Sequence, residues 1–166
     1  PKNSKRSLYK VSDPFMDFYF HFVVPNRSLI ELGRSTFVTD SIRSQFSRYV
    51  SAWWEKLCRQ AVSGGEIGGE MYNLAGRWWG NVSRDESIEL DVVAESLDRK
   101  KLLVGECKWT EGEDADRLIY ELTAKARKLP FLKRQEIVPA LFLKQKPVHG
   151  NNALVITPQQ IIDIIG

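Results

Sequence analysis

Glu106 and Lys108 stand two residues apart in Leu102-Leu103-Val104-Gly105-Glu106-Cys107-Lys108-Trp109, and Asp91 stands in Ile88-Glu89-Leu90-Asp91-Val92-Val93-Ala94. Two carboxylates and an ammonium are the groups that hold a divalent cation and activate a water, provided the chain brings them together. Both stretches read as strands, because β-branched and apolar residues alternate with charged ones. The polar Asp98-Arg99-Lys100 between them reads as the tip of a hairpin. Side chains at i and i+2 share a strand face, so Glu89 goes with Asp91 and Glu106 with Lys108. A tip near Asp98-Arg99 sets Asp91 almost opposite Glu106.

Oxygen ligands from Asp91 and Glu106 suit Mg²⁺ or Mn²⁺, hard cations that keep several waters. The Cys107 carbonyl, between the two side chains of the triplet, is a further ligand on this reading. Such an ion lowers the pKa of a bound water and stabilises charge on a phosphate, with Lys108 orienting the water or neutralising the phosphorus centre. The competing arrangement is a cross-strand salt bridge from Asp91 or Glu106 to Lys108 on the wet face of the hairpin. A Glu-x-Lys triplet is cheap: twelve Glu and twelve Lys in 166 residues give roughly one by accident. Context separates Glu106-Cys107-Lys108 from the bare Asp98-Arg99-Lys100, since it closes an apolar strand and Gly105 allows close approach beside it.

Those strands need a core to hold them. A chain of 166 residues suits one domain, and 43% apolar with 27% charged residues is ordinary for a soluble globular protein. No apolar run approaches the ~20 residues of a membrane span, and no signal peptide is visible, so no membrane partner is expected. Cys58 and Cys107 lie in apolar settings and suit free thiols in a reducing cytoplasm. The net charge of +3 is small, but Arg117, Lys125, Arg127, Lys128, Lys133, Arg134, Lys144 and Lys146 outnumber Asp116, Glu121 and Glu136 from Ala115 to Gly150. That basic half suits a phosphate backbone, with Lys125, Arg127, Lys128, Lys133 and Arg134 as candidate contacts. Arg77, beside Trp78-Trp79, is a further phosphate contact or else a structural ion-pair partner.

Ser12-Asp13-Pro14 starts a helix with Phe15, Phe18, Tyr19 and Phe22 on one packed face, ended by Pro25-Asn26. Thr39-Asp40 caps a second helix, about 41–62 with room for a break, carrying an apolar stripe from Phe46 to Ala61. Glu55 borders that stripe, either as a solvated acid beside Lys56 and Arg59 or as a further metal-site carboxylate. The glycines from Gly64 to Gly69 lack the Gly-Lys-Ser/Thr of a phosphate loop and read as a flexible connection. Met71 to Trp79 reads as a first strand. After the hairpin comes a helix from the Glu111–Asp114 region to about Leu129, stopped by Pro130. The strand Ile137–Leu143 follows, either buried or at an edge, with Pro139 favouring an edge or an end. A turn at Asn151-Asn152, preceded by His149-Gly150, leads to a strand over 153–157, and Thr157-Pro158 opens a final helix. Alternating helices and strands imply an α/β fold, a mixed central sheet flanked by helices.

At these residues the sequence resembles the PD-(D/E)XK nuclease superfamily, whose metal acid lies on the middle strand and whose (E/D)-x-K triplet lies on the next. Asp91 matches the acid, and Glu106 with Lys108 the triplet. Glu55 lies where many members carry an acid on the first helix. Asp13-Pro14-Phe15, Phe18-Tyr19-Phe20, Pro25-Asn26-Arg27, Gly76-Arg77-Trp78-Trp79-Gly80, Glu89-Leu90-Asp91-Val92-Val93-Ala94 and Gly105-Glu106-Cys107-Lys108-Trp109 together resemble the nuclease-like C-terminal domain of archaeal and bacterial AAA-type ATPases. The resemblance implies a restriction-endonuclease-like fold and Mg²⁺-dependent hydrolysis of DNA, with Asp91, Glu106, Lys108 and Glu55 as catalytic residues. It also implies that residues 1–40 form an extension from a preceding winged-helix and ATPase region, and that 41–166 form the nuclease-like domain. The start at Pro1 fits a piece of a longer protein, and the reading leaves room for an oligomer. The alternative is a non-catalytic DNA-binding or protein-docking module on the same fold.

Overall fold

The computed structural model describes residues 11–147 and 153–166. The expected turn at His149–Asn152 lies outside the described residues. The chain divides into two compact units, Pro1–Tyr49 and Val50–Gly166.

The first unit is helical. Asp13 accepts a hydrogen bond from the Met16 N–H at 2.8 Å and caps α1 (Pro14–Phe18), with proline in its first turn as expected. Pro25 does not end the run. A π-helical turn, Tyr19–Val23, and a 3₁₀ turn, Val24–Asn26, lead straight into α2 (Arg27–Glu31), because Pro25 stands in the first turn of its own 3₁₀ segment, where its missing N–H costs nothing. The aromatic face is less buried than its spacing implies: Phe22 is enclosed and Phe18 half-buried, whereas Phe15 and Tyr19 face solvent. Phe18 and Phe22 pack on the Tyr49 ring, whose hydroxyl donates to the Pro14 carbonyl at 2.6 Å.

The long helix α3 (Ser35–Gly64) begins well before Thr39-Asp40 and has no break. Thr39 does not cap it. Its hydroxyl donates to the Ser35 carbonyl one turn back, the local bond a threonine makes inside a helix. The 40/41 boundary therefore falls within α3.

In the second unit the glycine-rich stretch is built rather than loose. β1 (Glu66–Ile67) and β2 (Glu70–Met71) form a hairpin whose two connecting residues, Gly68 and Gly69, both have positive φ. Only glycine takes two such positions readily, which suits the primed turns of two-residue hairpins. The main sheet follows: β3 (Gly76–Asn81), β4 (Ser87–Glu95), β5 (Lys101–Lys108), β6 (Glu136–Leu143) and β7 (Leu154–Ile156), in that spatial order. β3, β4 and β5 pair antiparallel, and β5, β6 and β7 pair parallel, so the sheet is mixed. The parallel crossover from β5 to β6 runs through α4 (Ala115–Ala126), and α5 (Pro158–Ile165) closes the chain.

Helices cover both faces. Trp54, Cys58, Ala61 and Val62 of α3 and Ile161 of α5 pack on Val92, Leu103 and Phe142. On the other face Leu118, Leu122 and Ala126 of α4 pack on Leu90, Leu102, Val104 and Leu141. β6 is the buried strand of the two alternatives, with β5 and β7 on either side, and not the edge that Pro139 favours. Pro139 is tolerated there because it pairs only toward β5, at Val104, while the pairing with β7 begins at Ala140. Asp114 caps α4 through the Arg117 N–H, and Thr157 with Gln160 forms a capping box on α5.

Candidate functional site

β4 carries one irregularity, and it falls at Asp91. Gly76 pairs with Val93 and Trp78 with Leu90, so two steps along β3 match three along β4. The extra residue lies in the Asp91–Val92 stretch. It flips the alternation, so that Leu90 joins the α4-side core and Val92 the α3-side core. Bulges re-aim side chains in this way. The β4–β5 pairing ends at Val92 with Gly105, so Asp91 lies just past the last paired residue, beside the Glu106-Cys107-Lys108 end of β5. The Asp91 carboxylate accepts the Cys107 N–H at 2.8 Å, which ties the acid to the centre of the Glu106-Cys107-Lys108 triplet.

Glu106 is paired from two sides. Lys108 Nζ stands 2.8 Å from its Oε1, and Lys125 Nζ, from α4, stands 3.4 Å from its Oε2. Glu55 comes in from α3. It pairs with Arg59 at 3.6 Å, and the Arg59 guanidinium donates to the Asp91 carbonyl at 2.8 Å. Arg59 thus latches α3 to the bulge. Gly105 matters for packing: a Cβ there would lie 2.7 Å from the Phe142 ring and 2.9 Å from Val92 Cβ.

The electrostatics follow from this crowding. Burial pushes the Asp91 carboxyl up from an ordinary 3.8 to about 6; the Cys107 N–H and Lys108 oppose that, and the Glu106 and Glu55 charges add to it. For Lys108 burial works against the charge, yet the Glu106 carboxylate outweighs it and holds the pKa above the ordinary lysine range. Burial beside Cys58 pushes the Cys107 thiol well up, which makes it an inert thiol rather than a thiolate ligand.

Of the residues expected at the site, Asp91, Glu106, Lys108 and Glu55 therefore stand in one electrostatic neighbourhood, and Cys107 contributes its N–H. Among the described residues, no three His, Cys, Asp or Glu side chains form a metal-holding group. The donor set would be two carboxylates and a carbonyl, which fits Mg²⁺ or Mn²⁺ because such ions retain most of their waters and need only one or two carboxylates.

The expected phosphate contacts divide. Lys125 sits on Glu106, Lys128 pairs with Glu86, and Arg77 pairs with Glu89 while its guanidinium lies 5.8 Å from the exposed Trp79 ring centre. Arg127 lines a shallow cleft on α4 with Asp116 and Tyr120. Lys133 lines another beside Phe131, and Arg134 is exposed. Two members of the cluster, Arg59 and Lys125 as a Glu106 partner, were not singled out from sequence. Both left a signal: Arg59 is four residues after Glu55, the spacing of a helical ion pair, and Lys125 occupies the i+7 position of the stripe begun by Leu118.

A family model, DUF234, described as archaea bacterial proteins of unknown function, matches residues 19–121. An uncharacterised protein, MJECL04, of Methanocaldococcus jannaschii is 33% identical over 119 residues, covering 68% of this chain and 25% of its own length. The chain thus spans about a quarter of that curated relative. The crystal structure of protein VC1899 from Vibrio cholerae is similar over 70% of this chain and 31% of its own, with 16% identity and a TM-score of 0.43.

Proposed function

The chain belongs to DUF234, a family whose description names no activity, and from that premise we propose that the chain is a metal-dependent phosphodiesterase module acting on DNA, of the PD-(D/E)XK kind. One observation carries the reading: Asp91 on β4 accepts the Cys107 N–H at the centre of the triplet on the paired strand β5, and Lys108 lies on Glu106. Asp91 and Glu106 would hold the ion with the Cys107 carbonyl. When bound, Mg²⁺ or Mn²⁺ supplies charge for the phosphate and acidifies a water. Lys108 offers an ammonium to the attacking water or to the phosphate oxygens. Glu55 and Arg59 fix the bulge that aims Asp91. The exposed Arg127, Lys133 and Arg134 would supply salt-dependent contacts to the phosphate backbone. The resemblance of the sequence makes this one module of a larger ATPase, joined through a winged-helix region.

The test is cleavage of supercoiled plasmid and of a branched duplex in Mn²⁺. The unchanged chain should nick or cut, and Asp91→Asn and Lys108→Met should each lose at least about 100-fold in rate. Equal rates in all three proteins would refute the reading. One observation favours a second reading, a non-catalytic DNA-binding or docking module: both oxygens of Glu106 already have ammonium partners. Salt-sensitive DNA binding with no cleavage in Mn²⁺ would select it.

A further inference from the structure

Glu106 is enclosed, with its side chain 13% exposed, and a single ammonium would neutralise it. It has two. Lys108 comes from the same strand and the same face, two residues on. Lys125 comes from another element. Its position follows Leu122 and precedes Ala126, both buried, so its stem runs at the packed border of α4 and its head reaches the sheet. The Lys125 ammonium stands 3.4 Å off on a side chain 36% exposed, so the pair adds only modestly to folding stability. The placement instead puts a positive charge on one of the oxygens that the proposed ion would use.

We propose that Lys125 is a resident cation of the site: it occupies the Glu106 carboxylate while no divalent ion is bound, yields that oxygen on loading, and turns its ammonium to the substrate phosphate. The inference rests on the metal-dependent reading above. Lys125 is the lysine that yields, because its contact is 3.4 Å against 2.8 Å for Lys108, and because its long stem is anchored outside the sheet. Lys108 stays, held on its own strand. Ammonium and divalent ion compete for one oxygen, so each weakens the other by the same factor. Lys125 thereby couples loading of the ion to capture of the anion: its ammonium is released for phosphate only when Glu106 has another partner.

Mn²⁺ uptake by the whole chain without DNA, followed by isothermal titration, tests this apart from any turnover. Lys125→Met keeps the stem and removes the charge, and should bind Mn²⁺ about fivefold more tightly than the unchanged chain. Lys125→Gln, with a polar uncharged head, should tighten binding likewise, and Asp91→Asn should weaken it. Lys100→Met removes the same charge at the hairpin tip, where Lys100 pairs with Asp98, and should leave the affinity unchanged. In Mn²⁺, a short phosphorothioate duplex should bind more weakly to both Lys125 variants. If neither Lys125 variant gains Mn²⁺ affinity while Asp91→Asn loses it, the resident-cation role is wrong and the metal site stands. If Lys100→Met tightens binding as much as Lys125→Met, net charge is the cause and the role is again wrong. If the unchanged chain takes up no Mn²⁺, the metal-dependent reading falls and takes this inference with it.

Discussion

Asp91 is an acid held where ionising is costly, and that gives its charge state a measurable signature. Its folded pKa is about 6 against an ordinary 3.8, so between those values the folded chain keeps a proton that the unfolded chain has lost. The stabilising effect of that proton is full below about pH 3.8 and is lost as pH rises through 6, a swing of about 3 kcal/mol. Asp91→Asn keeps an oxygen for the Cys107 N–H and cannot ionise. Urea unfolding should show it up to about 3 kcal/mol more stable than the unchanged chain at pH 8, and close to it at pH 4. An equal gain at both pH values would remove the buried charge as the cause. Ion binding requires the ionised carboxylate, so Mn²⁺ affinity should fall about tenfold for each pH unit below 6. Gly105 is a second residue with a sharp consequence. Gly105→Ala drives a methyl into Phe142 and Val92, and should cost about 1–3 kcal/mol in urea unfolding.

At the scale of elements, the β4 bulge and α3 form one device. The bulge turns Asp91, and Arg59 holds the bulge through the Asp91 carbonyl while pairing with Glu55. Arg59→Met should cost about 1–3 kcal/mol in urea unfolding, since the carbonyl and Glu55 both lose a charged partner. Wild-type stability in that variant would show the latch to be dispensable. The hairpin that carries the acids was legible because apolar and charged residues alternate from Ile88 to Asp91, and because the polar tip fixed the register near Asp98. The bulge was not. Its trace in the sequence is the adjacent pair Val92-Val93, which breaks the alternation, and adjacent valines are equally natural in a strand buried on both faces. The start of α3 was misplaced because Thr39-Asp40 has the composition of a cap, and only coordinates show the hydroxyl bonded backward inside the helix. The Gly68-Gly69 hairpin was missed because its strands have two residues each, too short for any period to register. What sequence leaves unspecified here is long-range: which cation reaches Glu106 depends on how α4 docks, and nothing within α4 fixes that.

Over the whole molecule, burial is unequal between the two units, and stability should be as well. In Pro1–Tyr49 the fully buried apolar side chains among the described residues are Phe22 and Val38. In Val50–Gly166 the sheet is packed on both faces, and Leu103, Val104, Leu141 and Phe142 are enclosed on the two central strands. Native-state hydrogen exchange should therefore separate two classes of amide. Those of Leu103, Val104, Leu141 and Phe142 should exchange only through global unfolding, and those of α1 and α2 through local opening that requires far less free energy. Glu106 belongs to the protected class, because β5 has a strand on both sides and Glu106 pairs with Leu141 of β6. A site on such elements is preorganised, so an ion entering it should tighten the surroundings rather than build them. Added Mn²⁺ should slow exchange at Val92, Cys107 and Lys108 and along α4 near Lys125, while leaving the amides of α1 and α2 at their original rates. Equal slowing in both units would point to a general effect of the ion on the chain and would count against a site centred on Asp91 and Glu106.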